Sequence, residues 1–396
     1  MTNKYHDISI YPLDSSTQDG RFLLSCNGQY FEASKAITEL VETLQKYSTE
    51  EESIAAYICH KKGKYTVEQV KLVMDKYVTP LFSTKEKERT FLYEKELFSA
   101  NAIEWFSGKC KFLFHRTWLI TVLSLTSAAD VYFFLTTDDL LVFNSRVTLY
   151  MVVGLFAFML TSSFFHELGH ASACKHFGLK HGGVGFGLYL NFPVLYTDVT
   201  EIWRLNRKKR CVVNVAGVYF QCYLLVILLS LFYLTGHDMV RYLILIINLG
   251  FLMTLNPFFK FDGYWIASDL LGVPNLRTRS LELVGYWLNR IRKQPVEKVP
   301  YLLQIRPLEK YGLLIYSIVV NLFMAFYFCY VIPKFIYQFI QTFPDKANEL
   351  ILCLSNNITP PFALLRNIGT QLLFLALIGY FLYKLITPFI KRHASK

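Results

Sequence analysis

The sequence predicts a mainly α, polytopic membrane protein of about six transmembrane helices, preceded by a small α+β domain. Two observations lead there. Apolar residues make up 53% of the 396 residues, with 34 Phe and 26 Tyr, which is more than a soluble domain needs to fill its core. These residues are also gathered into runs of membrane-crossing length, behind a first segment whose apolar residues recur at strand and helix spacing. The chain divides accordingly into 1–83, a folded domain; 84–115, a connector; 116–269, a membrane core; and 270–396, a loop with further membrane helices.

In the first segment, stretches 22–26 and 29–32 flank Asn27-Gly28, a pair suited to a two-residue hairpin turn because both positions accept positive φ. Ser34 precedes a helix with Ile37, Leu40, Val41 and Leu44 on one face. Thr49 and Glu52 form a capping box for a second helix through Ile54, Tyr57 and Ile58. Thr66 opens a third, with Val67, Val70, Val73, Met74 and Tyr77 inward, and Pro80 ends it. A hairpin followed by three helices resembles the winged-helix leader-recognition domains of ribosomal peptide maturation, which are similar to the PQQ-biosynthesis chaperone. The resemblance implies a cytosolic winged-helix-like domain that takes a precursor's leader as an extra strand. The residues by themselves equally allow a regulatory or structural cap.

Segment 84–115 is charged and carries Trp105, Phe106 and Phe112, as expected of an amphipathic connector on a membrane surface. Spans are expected at 116–136, 147–169, 211–235, 240–257, 312–333 and 365–389. The fourth is short, which suits a broken helix lining a cavity. Pro333 and Lys334 set the apolar stretch 335–340 apart, so it is not counted.

Charge orients the spans. Arg204, Arg207, Lys208, Lys209 and Arg210 lie between spans two and three. Arg277, Arg279, Arg290, Arg292, Lys293 and Lys298 lie between spans four and five, and Lys391, Arg392 and Lys396 close the chain. The alternate loops are poor in basic residues, so a multi-pass protein of the cell membrane with both termini cytosolic is expected. This distribution absorbs most of the net charge of +11, and no basic recognition helix points to nucleic acid. No apolar run precedes the first domain, so no cleaved signal peptide is expected. The eight cysteines show no Cys-x-x-Cys spacing and read as small buried hydrophobes, Cys174 being the one near the metal motif described next.

The chemistry is concentrated at the end of the second span. His166-Glu167-Leu168-Gly169-His170 sets two imidazoles four residues apart, on one helix face, with Glu167 beside them as a candidate base. Ionisable groups at membrane depth are functional by default. The bland reading is a polar cluster joining helices. Hydrolytic zinc takes three protein ligands and keeps one position open. The best third ligand lies in Asn256-Pro257-Phe258-Phe259-Lys260-Phe261-Asp262-Gly263, where Pro257 should break the helix and Gly263 lets the chain turn after Asp262. Alone, that segment would read as an Asp-Gly turn at the water interface.

Together the two segments resemble the site-2 protease family of intramembrane zinc metallopeptidases. The resemblance, over about residues 147–269, implies that His166, His170 and Asp262 bind Zn2+ and that Glu167 is the catalytic acid/base. It implies that Asn256 holds the substrate or the developing oxyanion. Gly183 to Leu190, with Gly185, Phe186 and Gly187 at its centre, is similar to the family's membrane-associated β-hairpin, which pairs with an extended peptide substrate. The next helix departs from the family pattern: Ala216-Gly217 is followed by Val218 in place of Pro, and Gln221 stands where an Asn is usual. An amide remains there, on a longer arm. The expected activity is hydrolysis of a peptide bond, in maturation of a ribosomally made peptide. The alternatives are cleavage of a membrane-anchored regulator and a non-cleaving role in peptide export or immunity.

Overall fold

The computed structural model describes residues 4–82, 93–138, 140, 148–189, 192–294 and 300–394. Residues 84–92 of the expected connector, Val147 of the second span, Leu190 of the Gly-rich hairpin, Lys298 and Lys396 lie outside them. The chain forms two compact units, one drawn from residues 1–90, 94–187 and 194–314, the other from 91–93, 188–193 and 315–396.

The first unit opens with an antiparallel meander of β1 (Ser9–Leu13), β2 (Arg21–Cys26) and β3 (Gln29–Ser34), in that spatial order. Asn27 and Gly28 both take positive φ between β2 and β3, which is the geometry a two-residue hairpin demands. Helices α1 (Lys35–Lys46), α2 (Glu50–His60) and α3 (Val67–Tyr77) follow, with the single turn α4 (Thr79–Phe82) around Pro80. A full capping box between Thr66 and Gln69 starts α3. Leu24, Leu40, Val41, Leu44, Ile54 and Val70 close an apolar core between sheet and helices. Strand β1 has no strong sequence signal, and it forms because β2 offers it an edge.

Past the undescribed 83–92, β4 (Glu94–Phe98) leads into α5 (Ala100–Cys110) and α6 (Arg116–Thr136). Helix α7 (Leu149–His176) carries the His-Glu motif well inside its length. Strands β5 (Val184–Tyr189) and β6 (Phe192–Thr197) come next, and β4 pairs antiparallel with β5 in a sheet of order β4-β5-β6. Part of the expected surface connector is thus a strand. Then come α8 (Arg207–Thr235), α9 (Asp238–Thr254), α10 (Asp262–Leu271), α11 (Leu276–Ile291) and α12 (Pro307–Phe326). Helix α11 occupies what reads in the sequence as loop.

In the second unit the helix begun as α12 continues through a π-helical turn, Tyr327–Val331, into α13 (Ile332–Ser355), and α14 (Phe362–Ala394) follows. Pro333 does not stop the helix. It falls in the first turn of α13, after the wider turn has shifted the bonding, where a missing N–H is tolerated. Helices α13 and α14 pack through Phe335 and Phe374, with ring centroids 4.2 Å apart, and Gln371 donates to the Thr342 hydroxyl at 3.0 Å.

Among the described residues, four helices are long and apolar enough to cross a membrane: Arg116–Thr136, Tyr150–His176, Arg207–Thr235 and the continuous Pro307–Ser355. Two of the six expected spans correspond to shorter pieces, the 17-residue α9 and the apolar stretch Ala363–Ala376 of α14.

Candidate metal centre

Because α7 is helical through the whole motif, His166 and His170 stack one turn apart and send both Nε2 atoms the same way, 3.1 Å from each other. The third group arrives from the break between α9 and α10. Helix α9 ends at Thr254, and the Asn256 side-chain oxygen accepts the Phe258 N–H at 2.8 Å, closing a turn around Pro257. Helix α10 then starts at Asp262, where the positive end of the helix dipole favours a carboxylate. A β-carbon at Gly263 would overlap the Leu255 carbonyl, so only glycine lets α10 begin against the end of α9.

Asp262 Oδ2 lies 3.0 Å from His166 Nε2 and 3.3 Å from His170 Nε2. The three atoms make a nearly equilateral triangle. A tetrahedral site with bonds of about 2.0–2.1 Å has edges of about 3.3–3.4 Å, so the triangle has close to the size of one face. Among the described residues these three form the one group of His, Cys, Asp or Glu so gathered, and Cys174 is not in it. Asp262 Oδ2 is buried and has no hydrogen bond from the protein. A buried carboxylate oxygen without a partner is costly, and a cation between it and the imidazoles removes that cost. The donor set therefore fits zinc.

Helix α8 fixes the tautomer of each imidazole. His170 Nδ1 lies 2.8 Å from the Val213 carbonyl, which can only accept, so Nδ1 carries the proton and Nε2 offers its lone pair. His166 Nδ1 lies 3.1 Å from the Gln221 side-chain oxygen, and the Gln221 nitrogen donates to the Ser162 hydroxyl at 2.8 Å. That second bond orients the amide and makes its oxygen the acceptor for His166. Gln221, expected to hold substrate, thus has both ends of its amide bonded within the protein. The close crossing needs glycine at 217, where a β-carbon would overlap the His166 ring.

Glu167 is buried, 7% exposed, and its carbonyl lies 3.5 Å from the Thr197 hydroxyl at the end of β6. Asn256 lines a cavity of about 510 Å³ with Phe134, Asn248, Phe251, Leu255 and Phe258. Gly185, Phe186 and Gly187 lie on β5 between β4 and β6, opposite Glu96, Lys95 and Glu94 of β4. Both edges of β5 are therefore taken by the chain itself. The start of β5 is pinned to α5 by His181, whose Nε2 lies 2.9 Å from the buried Ser107 hydroxyl. Glu104 of the same helix pairs with Lys175, which holds its carboxyl below the usual carboxylate range.

Sequence reasoning missed the burial of Arg210 and Asn214. Arg210, Asn214, Gly217 and Gln221 recur at steps of four, three and four along α8, which puts them on one face. In the sequence Arg210 reads as one of the loop charges. That spacing was the available signal.

No family model matches the chain, and no solved structure matches it. A protein of Bacillus subtilis (strain 168), "Putative peptide zinc metalloprotease protein YydH", is 30% identical over 126 residues. The match takes in 31% of this chain and 48% of that protein, so the chain spans about half the length of the relative it matches.

Proposed function

We propose that this chain is an intramembrane zinc metallopeptidase of site-2 protease type, hydrolysing a peptide bond in the maturation of a ribosomally made peptide. The observation that carries the reading is the triangle of His166 Nε2, His170 Nε2 and Asp262 Oδ2, the histidines on a helix of membrane-crossing length, with buried Glu167 beside it. The partial likeness to a protein named as a peptide zinc metalloprotease supports it.

Zinc held by these three residues would supply Lewis acidity toward the scissile carbonyl and toward water. Glu167 receives the proton of the attacking water and returns it to the leaving amine. Val213 and Gln221 keep both histidines in the tautomer that offers Nε2. The Asn256 oxygen is taken by the Phe258 N–H, which leaves its NH2 group to donate to a substrate carbonyl or oxyanion. A helical substrate hides its carbonyls in its own hydrogen bonds, so the peptide must be extended. With β5 enclosed, an added peptide strand uses the outer edge of β6, which ends at Thr197 beside Glu167. The N-terminal domain recruits the leader, and both termini are cytosolic.

The test compares purified wild type with Glu167→Ala for zinc content and for cleavage of candidate precursor peptides. Zinc in both and cleavage in wild type alone is expected, the variant losing at least 100-fold in rate. Absence of zinc from wild type would sink the ligand assignment.

A further inference from the structure

Near its start, α8 carries a second buried polar cluster that the proposed chemistry does not use. Arg210, 3% exposed, donates from Nε to Asp269 Oδ1 at 2.6 Å, and Asn214 donates to Oδ2 at 2.9 Å. Both oxygens of buried Asp269 are thus held by α8. The other nitrogens of Arg210 donate to the Leu205 carbonyl at 2.8 Å and the Asp14 carbonyl at 3.1 Å. Asp14 belongs to the loop between β1 and β2, and its carboxylate accepts the Arg207 N–H at 3.0 Å and Arg207 Nε at 3.2 Å. Two residues on, fully buried Ser16 donates both its N–H, at 2.8 Å, and its hydroxyl, at 3.0 Å, to the carbonyl of Gly272, just past the end of α10.

A buried ion pair is poor evidence of stability, since apolar residues of similar volume often do as well. Its attested use is to specify one arrangement among several. Here the arrangement at stake is the rotation of α10. Asp262 and Asp269 are seven residues apart, so they project from one face of that ten-residue helix about 10 Å apart along its axis. A 20° rotation would carry a carboxylate on the helix rim through on the order of 2 Å. That is as long as a metal–ligand bond.

We propose that Asp269, gripped by Arg210 and Asn214, is a positioning residue that sets the rotation of α10 and so aims Asp262 at the metal. The β1–β2 loop, seated on Arg210 and Gly272, makes the N-terminal domain part of the same support. This rests on the metal-centre reading above.

The test uses the full chain in detergent, loaded with Co2+ so that visible d–d absorption reports coordination, and with Zn2+ affinity measured by chelator competition. Asp269→Asn and Asp14→Asn are compared with wild type and with His166→Ala. Unchanged helicity, weakened d–d bands and an affinity down about tenfold are expected for Asp269→Asn, with about threefold for Asp14→Asn. A merely structural clasp would leave the bands intact. Wild-type bands and affinity in folded Asp269→Asn overturn the proposal, and in Asp14→Asn they overturn the part given to the loop. Should Asp269→Asn not fold, Asn214→Ala is judged by the same measurements and the same criterion. A wild type that binds no more metal than His166→Ala overturns the metal reading itself, so the two failures are told apart.

Discussion

Helix α8 and the continuous helix 307–355 are similarly apolar, yet within an apolar 18-residue stretch of each, 50% of the first and 11% of the second is buried in the protein. On α8 three polar residues fall on one face and each meets a partner on another helix: Arg210 and Asn214 on Asp269, Gln221 on His166 and Ser162. On α13 the large apolar side chains Tyr337, Ile340, Ile351 and Leu352 are exposed in the structure, as suits contact with lipid. Hydropathy therefore reports the solvent a helix meets, and the register of its polar exceptions reports what it does.

The largest effect that could break this contrast is on Gln221. Replacing it by Leu removes the acceptor that holds the His166 proton and should lower zinc affinity 10- to 100-fold, read by chelator competition. No change would reduce the α8 stripe to packing. Gly217→Ala should be milder. The added methyl meets the His166 imidazole, so the α7–α8 crossing must widen, at about 1–3 kcal/mol in thermal unfolding, with part of the loss recovered on saturating zinc. The smallest effect is expected on the other helix: Tyr337→Ala and Ile340→Ala, both at exposed positions, should stay within about 0.5 kcal/mol and leave zinc content unchanged. A lowered zinc content in either would give α13 a share in the site.

The metal group was legible because its geometry is local. Two histidines four apart share a face on any helix, and Pro257 and Gly263 bracket Asp262 with a break whatever surrounds it. The Asn27-Gly28 turn was legible for the same reason. What the sequence concealed depends on neighbours distant in the chain. Strand β4 carries a Glu-Lys-Glu start with no clear strand pattern, and it is a strand because β5 presents an edge. Asp269 looks like one more helix-end acid until α8 brings Arg210 and Asn214 to it. The helix through Pro333 was read as interrupted because a π turn leaves no mark in composition. The contact of Gln221 with His166 is hidden in the same way, because it depends on Gly217 letting the His166 ring lie on α8.

The break between α9 and α10 also has a consequence for the surrounding lipid. The 17 residues of α9 rise about 26 Å, a few ångströms less than a hydrocarbon core of about 30 Å. Were α9 the fourth of the six expected spans, a bilayer would thin around it or let it ride off-centre, and shorter acyl chains would make that adjustment cheaper. Under the proposed function, membrane thickness would become a variable of the reaction, acting through the depth at which Asp262 is presented.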